Sequence, residues 1–310
     1  MVSRTSSRPR PVIAMLAMIL VWGYSWVVMK IALRYARPLD FAALRVGLGC
    51  ALLFAIVGAR GGGFALGRYR MAALLGLLQV ALFVMLTQFA LWFAGPGRTS
   101  VLVFTMPFWM IVLAHFILRE RMRGPQWLAV ALGFAGLVLI VEPWRLTNLA
   151  GSLLAVAGGA VWAVGAVLSK RWPTANADPL LFTAWQLLFG FFALLAVAAL
   201  NPPHPVDWNA TFLASLLFSA VLATAVGWWL WTYVLAHTPA GIAGLNSLGI
   251  PVIAVVASAI QLGEHPPAIE LAGMVTIGVA LALLAATGMK TGDAPRIRGT
   301  KRPAVDTAPD

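Results

Sequence analysis

At 310 residues, 61% of them hydrophobic and 10% charged, with a mean hydropathy of +0.89, the chain carries more apolar surface than a soluble core can bury. It is therefore predicted to be an integral membrane protein. The net charge of +12 does not point to nucleic acid, because the Lys and Arg residues lie almost entirely between and beyond the apolar runs. The one cysteine, Cys50, excludes an internal disulfide and reads as a small buried residue.

Arg4, Arg8 and Arg10 precede the first apolar run as in a signal peptide. The run continues to about Leu33, too long for an h-region, and has no clean small-x-small cleavage site, so it is taken as a retained first span. With Pro, Gly and charged clusters as boundaries, ten spans are predicted, at 12–33, 40–58, 71–93, 99–118, 125–142, 149–169, 180–200, 211–235, 241–262 and 268–288. Residues 1–11 form an N-terminal tail, and residues 289–310, rich in Pro and Arg, form a C-terminal tail expected to be disordered.

Of the 22 Lys and Arg, sixteen fall on the side of the N-terminus, in the tails and in the loops near residues 60–70, 119–123 and 170–171. Five, Lys30, Arg34, Arg37, Arg98 and Arg145, fall on the other side, with Arg45 left inside the second span. Both termini are thus expected to be cytoplasmic.

The chain also repeats itself. VWGYSWVVMK at 21–30 returns as VWAVGAVLSK at 161–170, pairing Trp22 with Trp162 and Lys30 with Lys170; an offset of 144 pairs Pro107 with Pro251, Glu120 with Glu264 and Gly97 with Gly241. Two five-helix repeats, 12–142 and 149–288, follow. Because five is odd, the second must enter the membrane from the opposite side.

These motifs resemble the EamA-type branch of the drug/metabolite transporter superfamily: a first span in each half running from Trp to Lys, then a span with a central Pro, a Glu, and a Gly-containing last span (Pro107, Glu120, Gly133 and Gly136; Pro251, Glu264, Gly273 and Gly278). In length and abundance of Trp the chain is most similar to aromatic amino-acid exporters of the YddG type. The resemblance implies an all-α integral membrane fold of ten helices, as two inverted five-helix repeats around a central cavity, in the plasma (inner) membrane. It also implies amino-acid export.

The residues themselves suggest where a substrate would sit. Trp22 and Trp26, ~15 and ~21 Å into the first span at about 1.5 Å per residue, share a face with Ser25. That face either lines a cavity or packs on a neighbour, and Trp162 stands likewise in the second half. Gln79 and Phe83 share a face of the third span and Thr224, Trp228 and Trp231 one of the eighth, while Gln186 and Asn246 lie within the seventh and ninth. The amides are open to two uses, interhelical hydrogen bonding or binding of a zwitterion. Lys30 and Arg45 are expected to snorkel to the interface and pair with Asp40, the alternative being direct binding of substrate, and His115 to be structural. Pro107 and Pro251 are hinge candidates, and Glu120 and Glu264 are expected to pair with Arg or helix ends.

No acid falls in the middle of a span, which suggests uncoupled, facilitated diffusion by alternating access; the alternative is a proton-coupled exporter of other metabolites or drugs, through Glu120, Glu264 or a His. Without HExxH, paired mid-span acids or clustered His, an enzyme is not expected, nor a metal or cofactor. A channel or structural membrane protein is the remaining class. The expected partners are the lipid bilayer and a small-molecule substrate, an amino acid, with one chain sufficient to enclose the cavity.

Overall fold

The computed structural model describes residues 9–65, 67, 69–117, 124–142, 149–172, 178–200, 204–231 and 249–289. Its helices are α1 (Pro9–Ala32), α2 (Pro38–Ala59), α3 (Tyr69–Phe93), α4 (Pro96–Ile117), α5 (Gly124–Val141), α6 (Leu149–Arg171), α7 (Pro179–Ala199), α8 (Ala210–Trp231), α9 (Gly249–Leu262) and α10 (Ala268–Met289). The first eight are long and apolar enough to cross a membrane; α9 and α10 are apolar but shorter over their qualifying residues. No strand occurs among the described residues. In lipid such helices satisfy their own main-chain hydrogen bonds within each segment.

Local sequence sets the helix ends. Pro38, Pro96 and Pro179 stand in the first turns of their helices, where no N–H is missed. Asp178 and Asn209 cap α7 and α8 by accepting from Leu180 N (3.0 Å) and Phe212 N (2.8 Å). Gly61 and Gly263, with φ of +69° and +67°, turn the chain just after α2 and α9.

Three spans are irregular. α3 widens into a π-helical segment at Gly76–Leu82 and α8 into another at Phe218–Val226, starting 142 residues apart. α4, predicted as one continuous span, is two half-helices, Pro96–Val103 and Met106–Ile117, separated by a turn at Phe104 and Thr105. Pro107 lies just past this break, and the Thr105 hydroxyl donates to Leu102 O (2.6 Å) within it. Pro251 instead stands in the first turn of the described part of α9, since residues 232–248 lie outside the described residues. The predicted beginning of the ninth span, with Asn246, and Glu120 fall outside them too.

The most extensive helix contacts follow a rule. α2 packs on α7, α5 on α10 and α4 on α9; α1 on α9 as α6 on α4; α1 on α8 as α6 on α3; and α2 on α8 as α7 on α3. Exchanging α1–α5 with α6–α10 leaves this set unchanged. α5 and α10 approach closely because Gly136 and Gly273 meet: a Cβ on either would lie 2.8 Å from the other's carbonyl oxygen. Leu20, Leu77, Phe116, Phe192, Ile260 and Val275 point outward and exposed, as lipid-facing positions do.

Candidate functional site

α1, α2, α3, α4, α6, α7, α8 and α9 converge on a cavity of about 110 Å³. Three sources of backbone irregularity border it. The π-segment of α3 brings in Val80, followed by Phe83; that of α8 brings in Ala223 and Thr224; and the broken turn of α4 brings in Val103, Phe104 and Met106. A π-turn re-aims side chains and shifts main-chain carbonyls out of register, which is why such turns concentrate at binding sites.

One of those carbonyls is used. The Trp22 indole N–H donates to Ala223 O at 2.8 Å, tying α1 to the π-segment of α8. Gly227 makes room for it, since a Cβ there would overlap the indole. From Trp22 an aromatic chain crosses the wall: Trp231 to Trp22 (6.1 Å between ring centroids), Trp22 to Trp228 (6.3 Å), Trp228 to Trp162 (5.4 Å) and Trp162 to Phe83 (4.8 Å). Contacts of this kind hold large rings in fixed orientations.

Of the residues singled out in the sequence, Trp22, Ser25, Trp26 and Phe83 line the cavity, as do Trp162, Thr224 and Trp228. Gln79 and Gln186 do not. Gln186 Nε2 donates to Gln79 Oε1 (3.2 Å), and Gln79 Nε2 lies 3.4 Å from Trp162 O. Through these contacts the two amides bridge α3, α6 and α7. Each is about 5–7% exposed.

Arg45 corrects an expectation. It does not pair with Asp40: it lines the cavity, with Nη1 donating to Thr224 Oγ1 at 3.3 Å and Nε buried without an acceptor. Five residues apart on a helix, Asp40 and Arg45 point about 140° away from each other at about 3.6 residues per turn. Sequence offered one signal for this position, an arginine alone within a span. The apolar lining, Val80, Leu187 and Ile250 among it, gave no signal, being residues that any span contains.

Lys30 acts as a helix end-stop through specific contacts. Its Nζ donates to Leu91 O (2.6 Å), Trp92 O (3.2 Å) and Ala94 O (2.9 Å), the open carbonyls at the C-terminus of α3. Beside it, Glu264 accepts from the Ser258 hydroxyl and lies against Gly95 and Gly97 at the N-terminus of α4, a helix end, as expected. Arg98 pairs with Glu270 at 3.4 Å. His115 packs edge-on against Phe116 and Trp127 and is not part of the cavity lining.

No group of three or more His, Cys, Asp or Glu that could hold a metal occurs among the described residues. The cavity is therefore an apolar, aromatic chamber with one cation in its wall. The profile of the EamA-like transporter family matches residues 9–142 and, a second time, residues 149–286, so that each match takes in five of the helices. The chain belongs to the EamA-like transporter family. It is accordingly a multi-pass membrane transporter.

Relatives agree. The transporter is 28% identical over 260 residues to an uncharacterized transporter, YoaV, of Bacillus subtilis (strain 168), covering 82% of this chain and 89% of that one. It is 27% identical over 288 residues to a probable amino-acid metabolite efflux pump of Escherichia coli (strain K12), covering 87% and 93%. A solved crystal structure superposes with a TM-score of 0.68 at 18% identity, covering 91% of this chain and all of that one, which shows a shared fold.

Proposed function

We propose that the transporter exports neutral amino acids, aromatic ones among them, across the inner membrane by alternating access. The observation that carries this reading is the cavity walled by Trp22, Trp26, Phe83, Trp162 and Trp228, where the two sets of five helices meet. Ligand pockets of this kind pair a broad apolar wall with few polar groups, which suits an amino acid with a large side chain. The name of the Escherichia coli relative, a probable amino-acid metabolite efflux pump, points the same way.

Ten spans in two inverted repeats, 12–142 and 149–288, agree with the twofold family match, the exchange rule among helix contacts and the paired π-segments. In this arrangement both termini are cytoplasmic, one chain encloses the cavity, and Pro107 and Pro251 adjoin the bending points. Ser25, Thr224 and the aromatic residues contact the substrate, whereas Gln79 and Gln186 hold helices together.

Transport is uncoupled in this scheme, because no acid lines the cavity. A second reading, proton-coupled export, is favoured by the buried carboxylates Glu142 and Glu270 at the end of the bundle near Arg98. Proteoliposomes separate the two. A labelled amino-acid panel should show saturable flux that runs down the substrate gradient, and accumulation driven by an imposed pH gradient alone would overturn uncoupled transport. A flux that does not saturate would indicate a channel, and none for any amino acid would sink the substrate assignment.

A further inference from the structure

The polar groups of the cavity divide sharply into those already committed and one that is not. Trp22 donates to Ala223 O, Ser25 Oγ to Trp22 O (2.7 Å), Thr87 Oγ1 to Phe83 O (2.9 Å) and Thr224 Oγ1 to Ser219 O (2.8 Å). Each of these lining donors thus serves a main-chain carbonyl. Arg45 alone has capacity to spare: its guanidinium offers five N–H groups, yet its one acceptor is the Thr224 hydroxyl, and Nε is buried with none. No Asp or Glu lines the cavity, and the one ion pair among the described residues is Arg98 with Glu270.

A cation held in an apolar chamber without a counter-ion is costly, and such a residue within a span marks a functional site. A planar guanidinium matches a carboxylate with two parallel hydrogen bonds, a geometry that a neutral donor cannot supply. Thr224 is fixed so that its hydroxyl hydrogen points to Ser219 O and a lone pair to Arg45, which steadies the guanidinium at the cavity wall. The rings of Trp162, Trp228 and Phe83 line the same cavity.

We infer that Arg45 is the carboxylate-binding residue of this cavity, and that its substrates are compact monocarboxylates with an aromatic or other large apolar body, for which the α-ammonium is dispensable. The inference rests on the proposed role of the cavity as the substrate site. It adds a chemical selection: with one cation and no carboxylate in the lining, an acid without an amine fits, and an amine without an acid does not.

The test uses the full-length transporter in detergent and in proteoliposomes, with tryptophan, indole-3-propionate and tryptamine as probes. Binding is read as a ligand-induced rise in melting temperature, and transport as competition against labelled tryptophan. The two carboxylates should stabilise the wild type and compete with each other, while tryptamine does neither. Arg45→Gln should weaken carboxylate binding by at least roughly tenfold, as expected for loss of a charged hydrogen-bond partner, with Arg45→Lys between the two.

Equal binding of tryptamine, or unchanged carboxylate affinity in a normally melting Arg45→Gln, would overturn the assignment. Should Arg45→Gln fail to fold, the comparison of acid with amine on the wild type decides alone. If carboxylates bind through Arg45 but no amino acid is transported, the amino-acid proposal fails and the arginine assignment stands; if amino acids are transported without regard to Arg45, the reverse holds.

Discussion

The Gln79–Gln186 pair allows a direct test of which polar residues bind helices and which bind substrate. Replacing Gln79 by Leu keeps the volume of the side chain but removes the acceptor of Gln186 Nε2 and the donor that lies near Trp162 O. Gln186 is then left with a buried N–H that water does not reach, at about 5% exposure. Leaving a buried polar group unsatisfied costs about 1–3 kcal/mol in soluble proteins, and hydrogen bonds between membrane helices average about 0.6 and reach about 1.7 kcal/mol. Each single change, Gln79→Leu or Gln186→Leu, should therefore destabilise by about 1–2 kcal/mol. The double variant should lose less than the sum, with a coupling of about 0.6–1.7 kcal/mol, since both orphaned groups are then gone. The assay is reversible unfolding in detergent by a denaturant series on all four proteins. Transport by the variants should keep the wild-type KM. A strictly additive cycle, or a tenfold rise in KM at unchanged stability, would refute the assignment of the amides to helix packing.

Three further outcomes follow from the geometry. Lys30→Met removes the cation that caps Leu91, Trp92 and Ala94, and should cost about 1.5–3 kcal/mol in the same unfolding assay; Lys30→Arg should retain part of it, and an unchanged Lys30→Met would mean the capping is energetically idle. Gly136→Leu places a side chain where the α10 backbone at Gly273 lies, so expression or melting temperature should collapse. Gly278→Ala on α10, whose added Cβ meets nothing within 4 Å, should change stability by no more than about 0.5 kcal/mol. Cys50, 3% exposed with its thiol directed at Ala184 O (3.6 Å), should resist maleimide in the native protein and react on denaturation; rapid native labelling would show that α2 and α7 separate.

How much of the site was legible depended on the kind of signal. Trp22, Trp26, Trp162 and Trp228 stood out because large aromatics deep within a span are unusual away from the interfaces. Tertiary packing sets the choice between cavity and helix contact, and Trp22 takes both: it lines the cavity and also packs on Trp228 and Trp231. Gln79 looked equivalent to Trp22 in the sequence, yet it points to Gln186, because a π-segment changes which residues share a face. Arg45 was assigned to the interface from its distance along the helix alone. Rotation around the helix axis, which sends it toward Thr224, is set by how α2 packs against α7 and α8.

Composition and periodicity by themselves determined that the chain is helical and membrane-embedded, and where most spans begin and end, because an apolar run long enough to cross lipid admits few alternatives. The duplicated Trp-to-Lys stretch and the paired Pro and Glu were likewise visible at fixed offsets. Tertiary structure decided what no offset encodes: the break in α4, the two π-segments, the mutual pairing of the amides, and the turning of one arginine into the chamber. The physical reason is that lipid burial constrains each helix singly, whereas a cavity is made by eight helices at once. Its polarity depends on which hydrogen bonds their backbones leave open.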